Sequence, residues 1–131
     1  HSGLAAVYAR DLTRESLWEA FFARRTYATN GPRIVLDFRT ASTLMGGEQQ
    51  ACVGSRIRFS VFTVPDGLLD RVELVRGGEA VQTVFSGRNQ VPEFRAEFEH
   101  TVAPGSRPYY VRVYQTDGGA AWSSPIWVTG V

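Results

Sequence analysis

Lysine is missing from this chain: all 14 basic residues are arginine, and against 13 aspartates and glutamates they leave a formal charge of only +1 over 131 residues. So even a balance lacks the basic footprint that nucleic acid or an anionic membrane surface selects, and neither is expected as a partner. Cysteine is reduced to Cys52, which excludes an internal disulfide and any cysteine-built metal site. A lone cysteine of this kind is expected to be a small buried or half-buried thiol. Histidine occurs twice, as His1 and His100, whereas hydrolytic metal centres gather three or more His, Asp or Glu ligands. No apolar run approaches the roughly 18 residues that span a bilayer, and the N-terminus lacks the basic and apolar regions of a signal peptide. Internal repeats and low-complexity segments are absent as well.

What is present is an apolar fraction of 44% with 12% aromatic residues, the composition of a folded domain. One domain of roughly 100 to 150 residues accounts for the length, with room for an appendage. The first thirty residues differ from the rest. Leu4 to Ala9 form a short apolar run. Thr13 then stands as a helix cap, with Glu15 in the first turn against the positive end of the dipole and Leu12 and Leu17 at the spacing of a hydrophobic staple. Leu17, Ala20 and Phe21 make an apolar stripe that Trp18 and Phe22 widen, so an amphipathic helix is predicted over 14–25, ending on Arg24 and Arg25. Asn30-Gly31-Pro32 breaks the chain, and the division falls there: 1–32 as a helical segment and 33–131 as a second unit.

From Arg33 onward the apolar period changes to two. Ile34, Leu36 and Phe38 alternate, as do Ile57, Phe59 and Val61, and Val72 and Leu74. Gly77-Gly78 predicts a hairpin returning through 80–85. Phe94, Ala96 and Phe98 oppose Glu93, Arg95, Glu97 and Glu99, the pattern of a strand with one wet face. Strands over 109–115 and 122–129 follow, joined by Thr116-Asp117-Gly118-Gly119, with Pro125 suited to an edge or a bulge. Seven or so short strands without intervening helices predict an antiparallel β-sandwich of immunoglobulin or fibronectin type, preceded by one amphipathic helix.

Little in this pattern carries chemistry. His100 ends an alternating strand and reads as a rim residue, and Cys52 has no histidine near it in sequence. Asp66, Asp70 and Glu73 cluster around a turn, but Arg71 and Arg76 lie among them, which suits a solvated turn equally well. Arg24-Arg25 is a possible anion fork whose plainer role is to end the helix. Trp122 and Trp127, five positions apart, face opposite sides of a regular strand, so at most one belongs to a core. No catalytic, cofactor-binding or metal-ligating residue is assigned to this chain.

The segments Gly3-Leu4-Ala5-Ala6-Val7-Tyr8-Ala9, Leu12-Thr13-Arg14-Glu15-Ser16-Leu17-Trp18-Glu19-Ala20 and Arg24-Arg25-Thr26-Tyr27-Ala28-Thr29-Asn30-Gly31-Pro32-Arg33-Ile34 resemble the end of the metallohydrolase domain in the polymerase and histidinol phosphatase (PHP) superfamily. The branch in question comprises uncharacterised and carbaryl-hydrolase-like members with a β-sandwich after the barrel. About a quarter of the chain carries the resemblance. It implies a parent enzyme whose distorted (β/α) barrel binds two or three divalent metals (zinc, manganese or iron) and hydrolyses phosphoester or related bonds of a small-molecule substrate with a metal-activated water. The ligands would lie upstream, and the partner of this chain would be that upstream catalytic domain. His1 reads either as the tail of the late Asp-x-His motif of such proteins or as the remnant of a tag, and one imidazole holds no catalytic metal. A fibronectin-like module that binds a carbohydrate or protein through exposed aromatics is the alternative. A free-standing enzyme would need a cleft joining His100, Cys52 and a carboxylate.

Overall fold

The alternating segments become strands of two packed sheets. In the computed structural model, which describes residues 3–89 and 92–131, the order is β1 (Leu4–Val7), α1 (Arg14–Phe22), β2 (Thr26–Thr29), β3 (Val35–Thr40), β4 (Glu48–Ala51), β5 (Arg56–Val64), β6 (Leu69–Arg76), β7 (Glu79–Asn89), β8 (Phe94–Thr101), β9 (Gly105–Gln115), β10 (Ala120–Ser123) and β11 (Ile126–Gly130). The smaller sheet is β3-β5-β8. The larger has eight strands running β1-β2-β10-β9-β11-β4, with β6 on the other edge of β9 and β7 beyond it. Pairing is antiparallel throughout except between β11 and β4. The chain is thus mainly β with one helix, as the alternation predicts, and the two sheets face each other as a sandwich.

The predicted inward residues form the core. Ile34, Leu36 and Phe38 meet Ile57, Phe59 and Val61 on one sheet, and Val72, Leu74, Val111 and Val113 close it from the other. Phe59 sits at the centre, stacked on Phe38 at 5.3 Å and on Phe98 at 5.8 Å, with the buried Tyr109 ring 5.1 Å away. Each such side chain contributes about 1.5 to 3 kcal/mol through burial. Glu93, Arg95, Glu97 and Glu99 remain on the exposed side. The Gly77-Gly78 turn has φ of 59° and 95°, the two left-handed residues that a type I′ hairpin requires.

Three expectations change. The helix ends at Phe22 rather than Arg25, because Ala23 caps it and Arg24 turns left-handed at φ 58°. Arg25 N–H then donates to Ala20 O and Arg24 N–H to Phe21 O, a Schellman closure with arginine where glycine is usual. Thr13 caps as predicted, accepting from Ser16 N at 3.2 Å, but Leu12 is 92% exposed and forms no staple. The single strand predicted over 122–129 is two strands, β10 and β11, collinear along one edge of β9. Trp122 pairs with Arg112 and Trp127 with Pro108, so five steps on one side match four on β9. The extra residue is accommodated at Ser124-Pro125, a bulge in effect where proline has no N–H to offer.

The segment before Asn30-Gly31-Pro32 is bound to the segment after it. β2 pairs with β10, Asn30 Nδ2 donates to Gly118 O, and Asn30 Oδ1 accepts from Ala120 N. Two tyrosine hydroxyls also satisfy the free edge of β3: Tyr8 donates to Leu36 O at 2.7 Å and Tyr27 to Ile34 O at 2.8 Å. Burial, then the charge of Asp37, pushes the Tyr8 hydroxyl up to about 12, and burial raises Tyr27 as well.

Candidate functional site

The residues that could do chemistry are dispersed. Among the described residues no three His, Cys, Asp or Glu side chains gather as a metal site would need. His100 lies half-buried at the rim, its Nε2 3.4 Å from Arg76 Nη1 and its ring edge-on to Tyr109. Burial, then the charges of Arg76 and Arg56, lowers its pKa, so the ring is neutral near pH 7. Two flanking guanidiniums would repel a cation, and the residues here do not fit the divalent metals that the resemblance implies. His1 lies outside the described residues.

Cys52 corrects the expectation of a buried or half-buried thiol: it is exposed in the turn after β4, where its carbonyl accepts from Ser55 N and Ser55 Oγ. The carboxylates near the β5–β6 turn do not converge. Asp66 accepts from Arg33 N, Asp70 faces Arg71, and Glu73 accepts from Arg112 Nε at 2.8 Å with Arg71 at 3.4 Å. Burial alone would raise the Glu73 carboxyl, but the hydrogen bond and charge of Arg112, then Arg71, hold it below the ordinary range. Arg24 Nε donates to Gly46 O at 2.9 Å, and Arg25 pairs with Glu19, so both arginines of the pair are engaged internally, in keeping with the plainer reading over an anion fork.

What the fold assembles is an apolar surface. The bulge at Pro125 puts Trp122 and Trp127 on the same outward side of the larger sheet, contrary to the parity of a regular strand; Trp122 is half-buried and Trp127 is 37% exposed. Next to them α1 contributes only Ala20 to the interior. Trp18, Phe21 and Phe22 are 64%, 53% and 70% exposed, and Trp18 and Phe22 pack edge-to-face at 5.0 Å. Between helix and sheet runs a groove of about 410 Å³ walled by Phe21, Ala5, Ala28, Trp122 and Pro125, with Arg24 at its margin. A second depression of about 560 Å³ lies on the outward face of the smaller sheet. Its charged residues are already partnered, Arg39 by Asp37 and Arg95 by Glu93 and the Phe62 ring. The aromatic stripe was legible in the sequence. Its exposure is what the reading of the chain as an accessory lobe predicts for the isolated piece, an apolar patch around Trp18, Phe21 and Phe22, whereas the binding-module reading predicts a helix buried on its own sandwich.

A family profile described as "Protein of unknown function (DUF3604)" matches residues 1–51, running through α1 and past Pro32 as far as the end of β4. An uncharacterised protein of Chlamydia pneumoniae is 41% identical over 96% of this chain, and uncharacterised proteins of Chlamydia muridarum and Chlamydia trachomatis are 32% and 29% identical over the same share. No solved structure matches. In each of these bacterial relatives the matched region is 22% of the protein, so the chain spans about a fifth of their length.

Proposed function

We propose that this chain is the C-terminal accessory region of a larger PHP-type metal-dependent phosphoesterase, a structural or substrate-shaping lobe whose catalytic residues and metals belong to the upstream domain. The observation that carries this reading is the open aromatic face of α1. Three large side chains, each more than half exposed on one short helix, form a patch of the kind that soluble monomers rarely leave uncovered. The segments resembling a metallohydrolase end, 3–9, 12–20 and 24–34, are the ones that build this helix and its flanking strands. The share of the relatives' length that this chain covers leaves ample polypeptide for a barrel. The upstream domain would seat α1 against its own surface, and the divalent metals would be held there.

The outward Trp122 and Trp127 support a second reading, a fibronectin-like module that binds a carbohydrate or protein partner through the larger sheet. An assay of phosphodiester hydrolysis with bis-p-nitrophenyl phosphate and added manganese or zinc, on the full-length protein beside this chain, separates the two. Activity in the long protein and none in the short one is the expected result. Hydrolysis by the short chain alone would sink the accessory reading, and inactivity of both would favour the binding module.

A further inference from the structure

A sheet edge presents unpaired N–H and C=O groups, and proteins guard such edges with charge, proline, bulges or a covering segment. Four of the five strand edges described here are guarded. β4 carries Glu48, which faces Arg24 at 3.6 Å. β7 pairs with β6 through three register shifts. β8 carries Arg95, Glu97 and Glu99. β3 carries Asp37 and Arg39, and the Tyr8 and Tyr27 hydroxyls occupy the carbonyls along its free side. β1 is the exception. Its sequence Leu-Ala-Ala-Val has neither charge nor proline, its pairing with β2 is regular, and Leu4 and Ala5 are exposed while Ala6 and Val7 are half-buried.

We infer that the free edge of β1 receives a strand from the remainder of the same polypeptide, so that the larger sheet continues into a ninth strand. In an antiparallel pair, alternate residues direct their amide groups away from the partner, so about half of the β1 amides face the empty side. The groove beside Phe21 adjoins this edge, since Ala5 lines both. Alternate side chains of the added strand would stand beside Ala5 on the face of the groove, where the small alanine leaves space for apolar, β-branched residues. Same-chain origin follows from two quantities. The matched region is only 22% of the relatives' length, so most of such a protein lies outside it, and a tethered strand acts at an effective concentration on the order of millimolar. A second copy pairing through a strand of four residues would fall well short of the roughly 800 Å² per partner that a stable interface buries.

The inference rests on the proposed function only in placing the chain within a longer polypeptide, and it needs no metal chemistry. The test is residue-resolved amide exchange of Leu4 to Val7 in the full-length protein, with its mass measured at the same concentration. All four amides are expected to exchange at least about 100-fold more slowly than in an unstructured peptide while the protein is monomeric. Fast exchange at alternate positions would mean a bare edge and would overturn the inference, as would protection that disappears when an oligomer is diluted to monomer. A full-length protein that hydrolyses the diester yet leaves the edge bare would sink this inference alone. Full protection in an inactive protein would sink the phosphoesterase reading alone.

Discussion

The sandwich interior and the β1-α1-β2 segment use their apolar residues in opposite ways. In the interior, Phe38, Phe59 and Tyr109 are fully enclosed, with Phe59 stacked on Phe38 and Tyr109 tilted against it. On α1, Trp18, Phe21 and Phe22 have equal or greater apolar area and remain mostly in water, while the hydrogen bonds of β2, Asn30, Tyr8 and Tyr27 tie the segment firmly to the sheets. The segment is therefore anchored by these polar contacts together with Ala20, Tyr8 and Tyr27, and leaves the three large side chains of α1 uncovered. That division is expected of an interface still to be covered.

The sharpest break of this contrast is a pair of truncations in the isolated chain. Phe59→Ala should cost about 3 to 5 kcal/mol in urea unfolding, whereas Trp18→Ala should cost under about 0.5 kcal/mol. Equal costs would mean that α1 is covered in solution. Next is the junction between the two regions. Gly46 has φ of 93°, and a Cβ there would lie 2.1 Å from Arg24 O. Gly46→Ala should therefore destabilise by about 2 to 3 kcal/mol, read from the same unfolding curves; an unchanged midpoint would show that the Arg24 turn does not pack against Gly46.

The smallest effect concerns the tyrosine clamp. The folded-state pKa of Tyr8 lies above its unfolded value, so its contribution is complete below pH 10 and is lost as pH rises through about 12. Tyr8→Phe should cost about 1 kcal/mol at pH 7 and flatten the alkaline limb of the stability curve between those pH values. An alkaline limb unchanged by the substitution would remove Tyr8 from the clamp.

Much of this architecture could be read from residues close together in the chain. The two-residue alternation placed the core faces of β3, β5 and β8, Gly77-Gly78 placed a hairpin, and Thr13 placed a helix start. Each signal acts over one to four residues, within which side-chain direction and backbone dihedral are set locally. The end of the helix escaped because Arg24 adopts a glycine-like conformation, held by Gly46 O from 22 residues away. The exposure of Cys52 escaped for a similar reason, since a turn closed by Ser55 decides it.

By itself, then, the sequence determined the strand character of β3 and of β5 to β9 and which of their faces are apolar, while it left β1, β2 and β4 unmarked and ran β10 and β11 together. Tertiary structure alone decided that β11 runs parallel to β4, that one extra residue at Pro125 turns both tryptophans outward, that Tyr8 and Tyr27 complete the edge of β3, and that β1 is left as the unguarded edge. The physical reason is range. Periodicity and turn chemistry are settled between near neighbours, whereas pairing joins groups as far apart as Thr26 and Ser124, and its outcome depends on which distant backbone groups each strand can satisfy.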